Sequence, residues 1–510
     1  MTTHAAAAAA TIPVRAPVDD SIVGVVPDYG FTGVTAVISG VRVAQPAWEA
    51  LGAKGRTSWL WRYGKWLRAH QSELSALLQS ETGKPLQEAT MEILLALDVL
   101  GYCARNAARF LADQHPRPHG VLTVAKKLTV TRRPYPVVGV ICPWNFPLLI
   151  ALADALPALA AGAAAAIKPS ELTPLATKRA IEGWREIGAP DILACLTGAG
   201  ATGAALIDEV DFLQFTGSTA TGRAVASRAA ERLIPCSLEL GGKDAAIVLA
   251  DADLERAANG VVWGALFNSG QACVAVERVY VEAAVHDEFA QRVAAKVAAL
   301  RQGTDDRGGQ VDIGALASVA QLQIVEAQVH DAVAKGAQIL TGGRRFQLGS
   351  TFFEPTVLVG VDHSMQIMRS ETFGPTIPIM RVADADEAVR LTNDSLYGLS
   401  ATVWTRDHAR GREIARAVEV GAVNINDAFT NIFTFTVPHS GWKQSGLGAR
   451  FGGPYCIQKY CRPQAITETR LAPKSELLWY PYSARKSRFI DVLLGIARVV
   501  DRRPRLRKIH

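Results

Sequence analysis

The sequence predicts an α/β fold built in successive parts, and three observations carry that expectation. From Val137 onward, short apolar runs alternate with helical stretches, which is the pattern of βαβ units around a parallel sheet covered on both faces. A second series of the same kind follows from Arg278. At 510 residues the chain is also too long for one ordinary core, so two or three subdomains are expected.

Before the first series, Thr32 to Leu111 reads mainly as helices, clearest over Val41 to Ala50, the Trp-rich Ser58 to His70, and Glu73 to Glu81. The last of these stops at Thr82-Gly83-Lys84-Pro85, because Gly tolerates a positive φ just past a helix and Pro cannot continue one. Pro116 to Gly120 reads as a turn, and Leu122 to Arg132, rich in Val, Thr and Leu, as a hairpin. The first α/β series places strands at Val137–Ile141, Ala163–Ile167, Ile192–Leu196, Phe212–Phe215 and Ala245–Val248. The second places them near Arg278–Glu282, Thr356–Val359, Ala401–Trp404 and Val423–Asn426, with no repeat or low-complexity linker between the halves.

Composition narrows the class. Hydrophobic residues make up 49% and charged ones 20%, the balance of a globular protein rather than a disordered one. Leu148 to Ile167 is long and apolar enough to imitate a membrane span. It is Ala/Gly-rich, however, with Asp154 and Pro157 inside and polar motifs at both ends, so it reads as a buried helix followed by a strand. The alanine-rich stretch Met1 to Ala10 lacks the basic start and apolar core of a secretory signal. Seven cysteines without pairing or CxxC spacing then suggest reduced thiols and a cytoplasmic location. Net charge is +6, but nine Lys or Arg stand against two Asp between Arg485 and His510, so the body is close to neutral. That distribution argues against nucleic acid as a partner.

The strongest chemical signal is Phe267-Asn268-Ser269-Gly270-Gln271-Ala272-Cys273, between a helical stretch and a strand. A thiol at an element boundary behind Gly is open to substrate and to backbone donors, whereas the other six cysteines read as buried structural thiols. Glu239, between Leu238 and Leu240 and before Gly241-Gly242-Lys243, is a carboxylate whose desolvation raises its pKa toward that of a useful base. Taken alone it is as readily a paired structural acid. Asn145, within Pro143-Trp144-Asn145-Phe146-Pro147, offers an amide donor for an oxyanion or, more plainly, a turn cap. Two glycine loops compete for a phosphate: Gly198–Gly203, which matches GxGxxG, and Phe215-Thr216-Gly217-Ser218-Thr219-Ala220-Thr221-Gly222. The first lacks the acid expected at the end of the next strand. Lys168-Pro169-Ser170-Glu171 supplies a carboxylate for ribose hydroxyls, and nothing in the residues alone decides between the loops.

Taken together and in order, these segments resemble the aldehyde dehydrogenase superfamily from about Val41 to Pro463. Glu81–Lys84, Glu371-Thr372-Phe373-Gly374-Pro375, Tyr397-Gly398-Leu399 and Ser445-Gly446-Leu447-Gly448 complete the set. The resemblance implies Cys273 as nucleophile, Glu239 as general base, and Asn145 with the Cys273 amide as oxyanion donors. It implies a cofactor site of Trp144, Lys168, Ser170, Glu171, Gly217, Ser218, Gly222, Leu240, Glu371 and Phe373, for NAD with NADP also accepted, and no metal. The implied organisation is a Rossmann-type cofactor domain (15–115 and 135–240) and an α/β catalytic domain (241–442). A small β oligomerisation element (116–134 and 443–463) of a homodimer or homotetramer and a basic tail (464–510) complete it. Two departures stand out: Asp244 where the family often has Asn, and His439-Ser440-Gly441 where Phe-Gly-Gly is common.

Rival classes fit less well. A non-catalytic relative should have lost Cys273 or Glu239, a CoA-acylating one typically lacks the base, and no His lies in a motif that would pair with Cys273 in a hydrolase. The residues expected near the reacting centre, Trp144, Leu148, Ala272, Val274, Phe433 and Phe435, are mostly apolar. They point to an aromatic or aliphatic aldehyde, with succinate semialdehyde as the alternative. In the tail, Glu476 to Tyr482 is aromatic and apolar, and Phe489, Ile490, Leu493, Leu494, Ala497 and Val500 recur at helical spacing before the basic run Arg502 to Lys508. Such a helix either packs on the enzyme or a neighbouring subunit, or lies on an anionic membrane as a peripheral contact.

Overall fold

The computed structural model describes residues 10–120, 122–305, 308–346 and 350–500, with the side chains of 496–500 left aside. The alanine-rich start up to residue 9 and the basic run Arg502 to Lys508 lie outside the described residues. Two compact units result: a larger one up to Leu111 with Pro134–Cys461, and a smaller one of Ala112–Arg133 with the residues from Arg462 onward.

In the larger unit, helices Gly30–Ala50, Gly52–Ala69, Gln71–Thr82 and Leu86–Phe110 cover the expected helical region. Gly83 takes the left-handed conformation (φ 72°) that closes the third of these, as the Gly-Lys-Pro stop predicts. The imitation of a membrane span resolves into the buried helix Pro147–Ala161 and the strand Ala164–Lys168. Among the described residues, no helix is long and apolar enough to cross a membrane.

A six-stranded sheet runs in the order Gly446–Leu447, Cys236–Glu239, Phe212–Thr216, Val137–Ile141, Ala164–Lys168, Leu193–Cys195. All its pairings are parallel except the first, where Gly446 lies opposite Glu239. Chain order climbs in one direction from Val137–Ile141 and then resumes on its other side with Phe212–Thr216. Such a reversal opens a crevice at the carboxyl ends of the strands flanking it.

The seven-stranded second sheet is ordered Gln338–Thr341, Thr356–Val359, Thr376–Val382, Val276–Glu282, Asp244–Val248, Ser400–Trp404, Ala422–Ile425. It corrects one expectation: Asp244–Val248, assigned with the first series, is a central strand of this second sheet. The apolar run Ala245–Val248 says that the strand is buried on both faces but not which sheet buries it.

Another correction falls in the smaller unit. Leu122–Arg132 forms no local hairpin; its strand, Lys126–Pro134, pairs with the distant Cys461–Thr469. Beyond that ribbon, Ala484–Val500 is helical, in keeping with the apolar spacing of the tail. Phe489, Val492 and Leu494 remain 52%, 58% and 57% exposed.

Candidate active site

A cleft of about 1010 Å³ opens in the larger unit and is lined from the carboxyl ends of Val137–Ile141, Ala164–Lys168, Phe212–Thr216 and Cys236–Glu239. Cys273, Glu239, Asn145, Trp144, Lys168, Ser170, Glu171, Gly217, Ser218, Leu240, Glu371 and Phe373 all border it. Gly222 alone of the expected residues does not. A Cβ there would stand 2.4 Å from the Leu240 side chain, so its role is to let helix Thr219–Glu231 close against Leu240. The rival loop also contributes to the wall through Gly200 and Gly203.

The nucleophile loop is held in a conformation that its sequence alone would not adopt. Asn268, Ser269 and Gly270 all have positive φ (55°, 56° and 73°). A Cβ at Gly270 would meet the Gly374 carbonyl at 2.2 Å, so the glycine is obligatory. The strained turn is bolted down by its polar side chains. Asn268 Nδ2 donates to the carbonyls of Asn145 (3.1 Å) and Gln271 (3.0 Å), Ser269 Oγ donates to Gly314 O (3.0 Å), and Gln271 Oε1 accepts from Ala317 N (2.8 Å). Asn145 Nδ2 donates to Gln271 O at 2.9 Å, which leaves its second N–H for an oxyanion.

Glu239 is buried, neither of its oxygens has a hydrogen-bond partner, and burial pushes its pKa up to about 7. The double glycine after it has two separate steric reasons. A Cβ on Gly241 would lie 2.6 Å from the Glu371 carboxylate, and one on Gly242 would lie 2.3 Å from Cys273 O. Gly242 N in turn donates to Glu371 Oε1 (2.9 Å), so base, nucleophile loop and Glu371 are fastened together at this turn. Burial also pushes the Cys273 thiol up to about 12, against the opposing pull of the Arg450 cation, so the group rests as a thiol near neutral pH.

Toward the cofactor end, Ser218 caps helix Thr219–Glu231, and Lys168 Nζ pairs with the half-exposed Glu171 at 3.1 Å. Trp144 meets Phe373 edge to face at 5.4 Å, and both line the cleft. Phe373 (φ 52°) is held by Glu277 Oε1, which accepts from its amide at 2.8 Å, while Lys243 Nζ bonds Glu277 (2.7 Å) and Thr372 (2.9 Å). A crevice at the strand reversal, a capped helix start and a carboxylate at a strand end fit a dinucleotide. Among the described residues, no cluster suits a metal ion, and no disulfide joins any of the cysteines.

Several site-shaping residues escaped the sequence reading. Lys84, buried, donates to Asn145 O (2.7 Å) and pairs with buried Glu92 (2.5 Å), which accepts from the amides of Leu148 (3.2 Å) and Leu149 (3.0 Å). Glu81 likewise accepts from Leu175 N (2.6 Å) and Ala176 N (3.0 Å) at the start of helix Leu175–Glu186. Lys84 stands in a quoted motif, but nothing local signals a partner eight residues on. Behind Glu239 lie His439 and Arg450, brought there only by the chain's return through Gly446–Leu447. Asp244, the first departure, accepts from Ser400 N (3.0 Å) and Ser400 Oγ (2.6 Å) where two neighbouring strands of the second sheet begin. Leu148, expected near the reacting centre, is fully buried in the core.

The comparisons agree with this geometry. A family described as "Aldehyde dehydrogenase family" matches residues 4–466. The 4,4'-diapolycopene aldehyde oxidase of a Methylomonas species is 37% identical over 492 residues, covering 95% of this chain and 92% of that protein. A Mycolicibacterium smegmatis protein bearing the name "Putative succinate-semialdehyde dehydrogenase [NADP(+)]" is 38% identical over 443 residues, covering 86% and 85%. The crystal structure of succinate-semialdehyde dehydrogenase from Burkholderia pseudomallei superposes with a TM-score of 0.86 at 36% identity, covering 90% of this chain and 95% of that one. A family match over nearly the whole chain, joined to a thiol, a buried carboxylate and a dinucleotide crevice in one cleft, establishes that the chain belongs to the aldehyde dehydrogenase family.

Proposed function

We propose that this enzyme oxidises an apolar aldehyde, aromatic or aliphatic, to its carboxylate through a thioester on Cys273. The observation that carries the substrate class is the apolar part of the cleft that Cys273 borders, lined by Trp144, Ile150, Leu240 and Phe373, with an aromatic core packed behind the Cys273 loop. Phe267 stacks on Phe146 (5.7 Å) and meets Trp263 (5.5 Å) and Phe429 (5.4 Å) at an angle, Trp263 meets Phe429 (5.2 Å), and Phe435 sits between Tyr102 (5.7 Å) and Phe451 (4.8 Å). Of the buried cations nearby, Lys84 and Arg450 are paired with Glu92 and Asp154, and Lys459 donates to Gln214 Oε1 and Ala449 O. Neither Lys84 nor Arg450 is free to pair with a second carboxylate on the substrate. The Methylomonas relative, named for a carotenoid aldehyde, supports the same reading, whereas the semialdehyde names favour the alternative.

In the mechanism, the Cys273 sulfur adds to the aldehyde carbon as its proton passes to solvent water, and the free N–H of Asn145 Nδ2 meets the oxygen as it gains charge. When bound, the nicotinamide supplies the hydride acceptor, so that carbon is left as a thioester. Glu239 then takes a proton from water, whose oxygen bonds the acyl carbon as the C–S bond breaks and the acid is released. Glu171 binds the adenosine ribose hydroxyls and favours NAD. The smaller unit's ribbon joins subunits in a homodimer or homotetramer. The tail, with Leu478, Trp479, Tyr480, Phe489 and Val492 more than half exposed beside Arg485, Lys486 and Arg488, lies on an anionic lipid surface, where an apolar aldehyde concentrates.

An NADH-release panel tests the substrate reading, with Cys273→Ala as the control that should lose turnover while still binding cofactor. Each methylene buried is worth about 0.8 kcal/mol, or about fourfold, so kcat/KM should climb along an aliphatic series. Higher efficiency with succinate semialdehyde than with any apolar aldehyde would select the alternative.

A further inference from the structure

The pocket behind Glu239 holds a second buried group for which the mechanism above has no use. His439, where the family commonly carries Phe, is 2% exposed, and its Nε2 stands 3.6 Å from Glu239 Oε2. Its Nδ1 has no hydrogen-bond partner, and neither do the two Glu239 oxygens. Two buried polar groups left unpaired at near-contact distance would each forfeit a hydrogen bond, so a small side-chain shift that closes the gap is favoured.

The surrounding side chains are committed elsewhere, while the Arg450 main-chain N–H, which donates to His439 O (2.8 Å), also draws the Glu239 pKa down. Arg450, from the return segment, bonds both Asp154 oxygens (3.0 and 3.2 Å) and Thr216 Oγ1. Lys459 donates to Gln214 Oε1 (2.8 Å) and Ala449 O (3.2 Å). Asp154 on helix Pro147–Ala161 and the half-buried Tyr455 complete the charged and titratable set felt by Glu239, with Cys273 facing it from the nucleophile loop. The imidazole is kept neutral by burial and by the cations Arg450 and Lys459, which lower its pKa to about 3. A neutral imidazole has one N–H to give and no charge to pass on, which suits a fixed donor and not a proton carrier.

We propose that His439 is a positioning residue for Glu239: its Nε2–H donates to one carboxylate oxygen, holds the carboxylate ionised, and leaves the other oxygen to the hydrolytic water. This rests on the reading of Glu239 as the base that releases the acyl group.

The test follows hydrolysis of the acyl-enzyme in the full-length enzyme by rapid mixing, from about pH 6 to about pH 9. His439→Phe removes the N–H and keeps a ring. It should move the acid limb of hydrolysis up by about one pH unit and slow hydrolysis below that limb about tenfold, with the NADH burst and KM unchanged. His439→Gln, whose amide Nε2 can donate from a similar place, should return the limb toward the wild type. An unmoved limb in His439→Phe, or a limb that Gln fails to restore, overturns the proposal. Should His439→Phe not fold, His439→Leu against His439→Gln makes the same distinction. Failure of the underlying reading shows differently: Glu239→Gln would then release its acyl group at the wild-type rate.

Discussion

The division of the reaction proposed for Cys273 and Glu239 can be tested one residue at a time. Glu239→Gln leaves thiol attack and hydride transfer possible but removes the base for water. Rapid mixing should show a burst of one NADH per site, followed by turnover slowed about 10²–10⁴-fold. Slow chemistry from the first turnover would assign Glu239 to thiol activation or structure. Because the base works only when ionised and burial lifts its pKa to about 7, wild-type acyl release should rise about tenfold per pH unit up to that value and then level. Glu171, half-exposed and paired with Lys168, should give NAD about a tenfold advantage in kcat/KM over NADP by repelling a 2′-phosphate. Glu171→Ala should shrink that ratio. Equal or better efficiency of the wild type with NADP would refute the assignment.

A helix start and the side chains that cap it place Asn145, the proposed oxyanion donor. The start of helix Pro147–Ala161 is capped by Glu92, which is held by Lys84, which also grips the Asn145 carbonyl. Lys84→Met leaves the Glu92 carboxylate buried without its cation, so it should destabilise the fold by about 3–5 kcal/mol. The double variant Lys84→Met/Glu92→Gln keeps an acceptor for the Leu148 and Leu149 amides without an isolated charge, and should regain much of that loss. Thermal melts of single and double variants make the comparison; equal losses would mean that the unpaired charge is not the cause. The same logic explains why the turn motifs are glycine-rich: Gly241, Gly242 and Gly270 each face a neighbour closer than any Cβ could approach.

Across the whole chain, the catalytic body and the tail have different physical characters. The body is close to neutral, and the tail carries the net positive charge beside exposed Trp479, Tyr480 and Phe489. Co-sedimentation with anionic vesicles at low salt should pellet the full chain, and a version ending at Arg470 should stay in the supernatant. Added salt should weaken the pelleting, because part of the attraction is electrostatic. Loss of pelleting in both, with a change of oligomeric state only in the shortened chain, would assign the tail to a neighbouring subunit.

The alternation of apolar runs was enough to read an α/β fold, the helical region and the buried helix at Pro147–Ala161. The family resemblance of the motifs named residues that border the cleft, Gly222 excepted; of the six expected near the reacting centre, only Trp144 lines it. Local periodicity reports which faces are buried, and short motifs report turns that need particular residues. Neither reports pairing between distant segments. The partner of Lys126–Pro134 lies more than 300 residues away, and the strand Asp244–Val248 belongs to the sheet that follows it, because long-range packing chooses among surfaces that look alike locally. For the same reason His439 passes in the sequence as a substituted aromatic. Only the return of the chain through Gly446–Leu447 sets it beside the carboxylate that its N–H can hold.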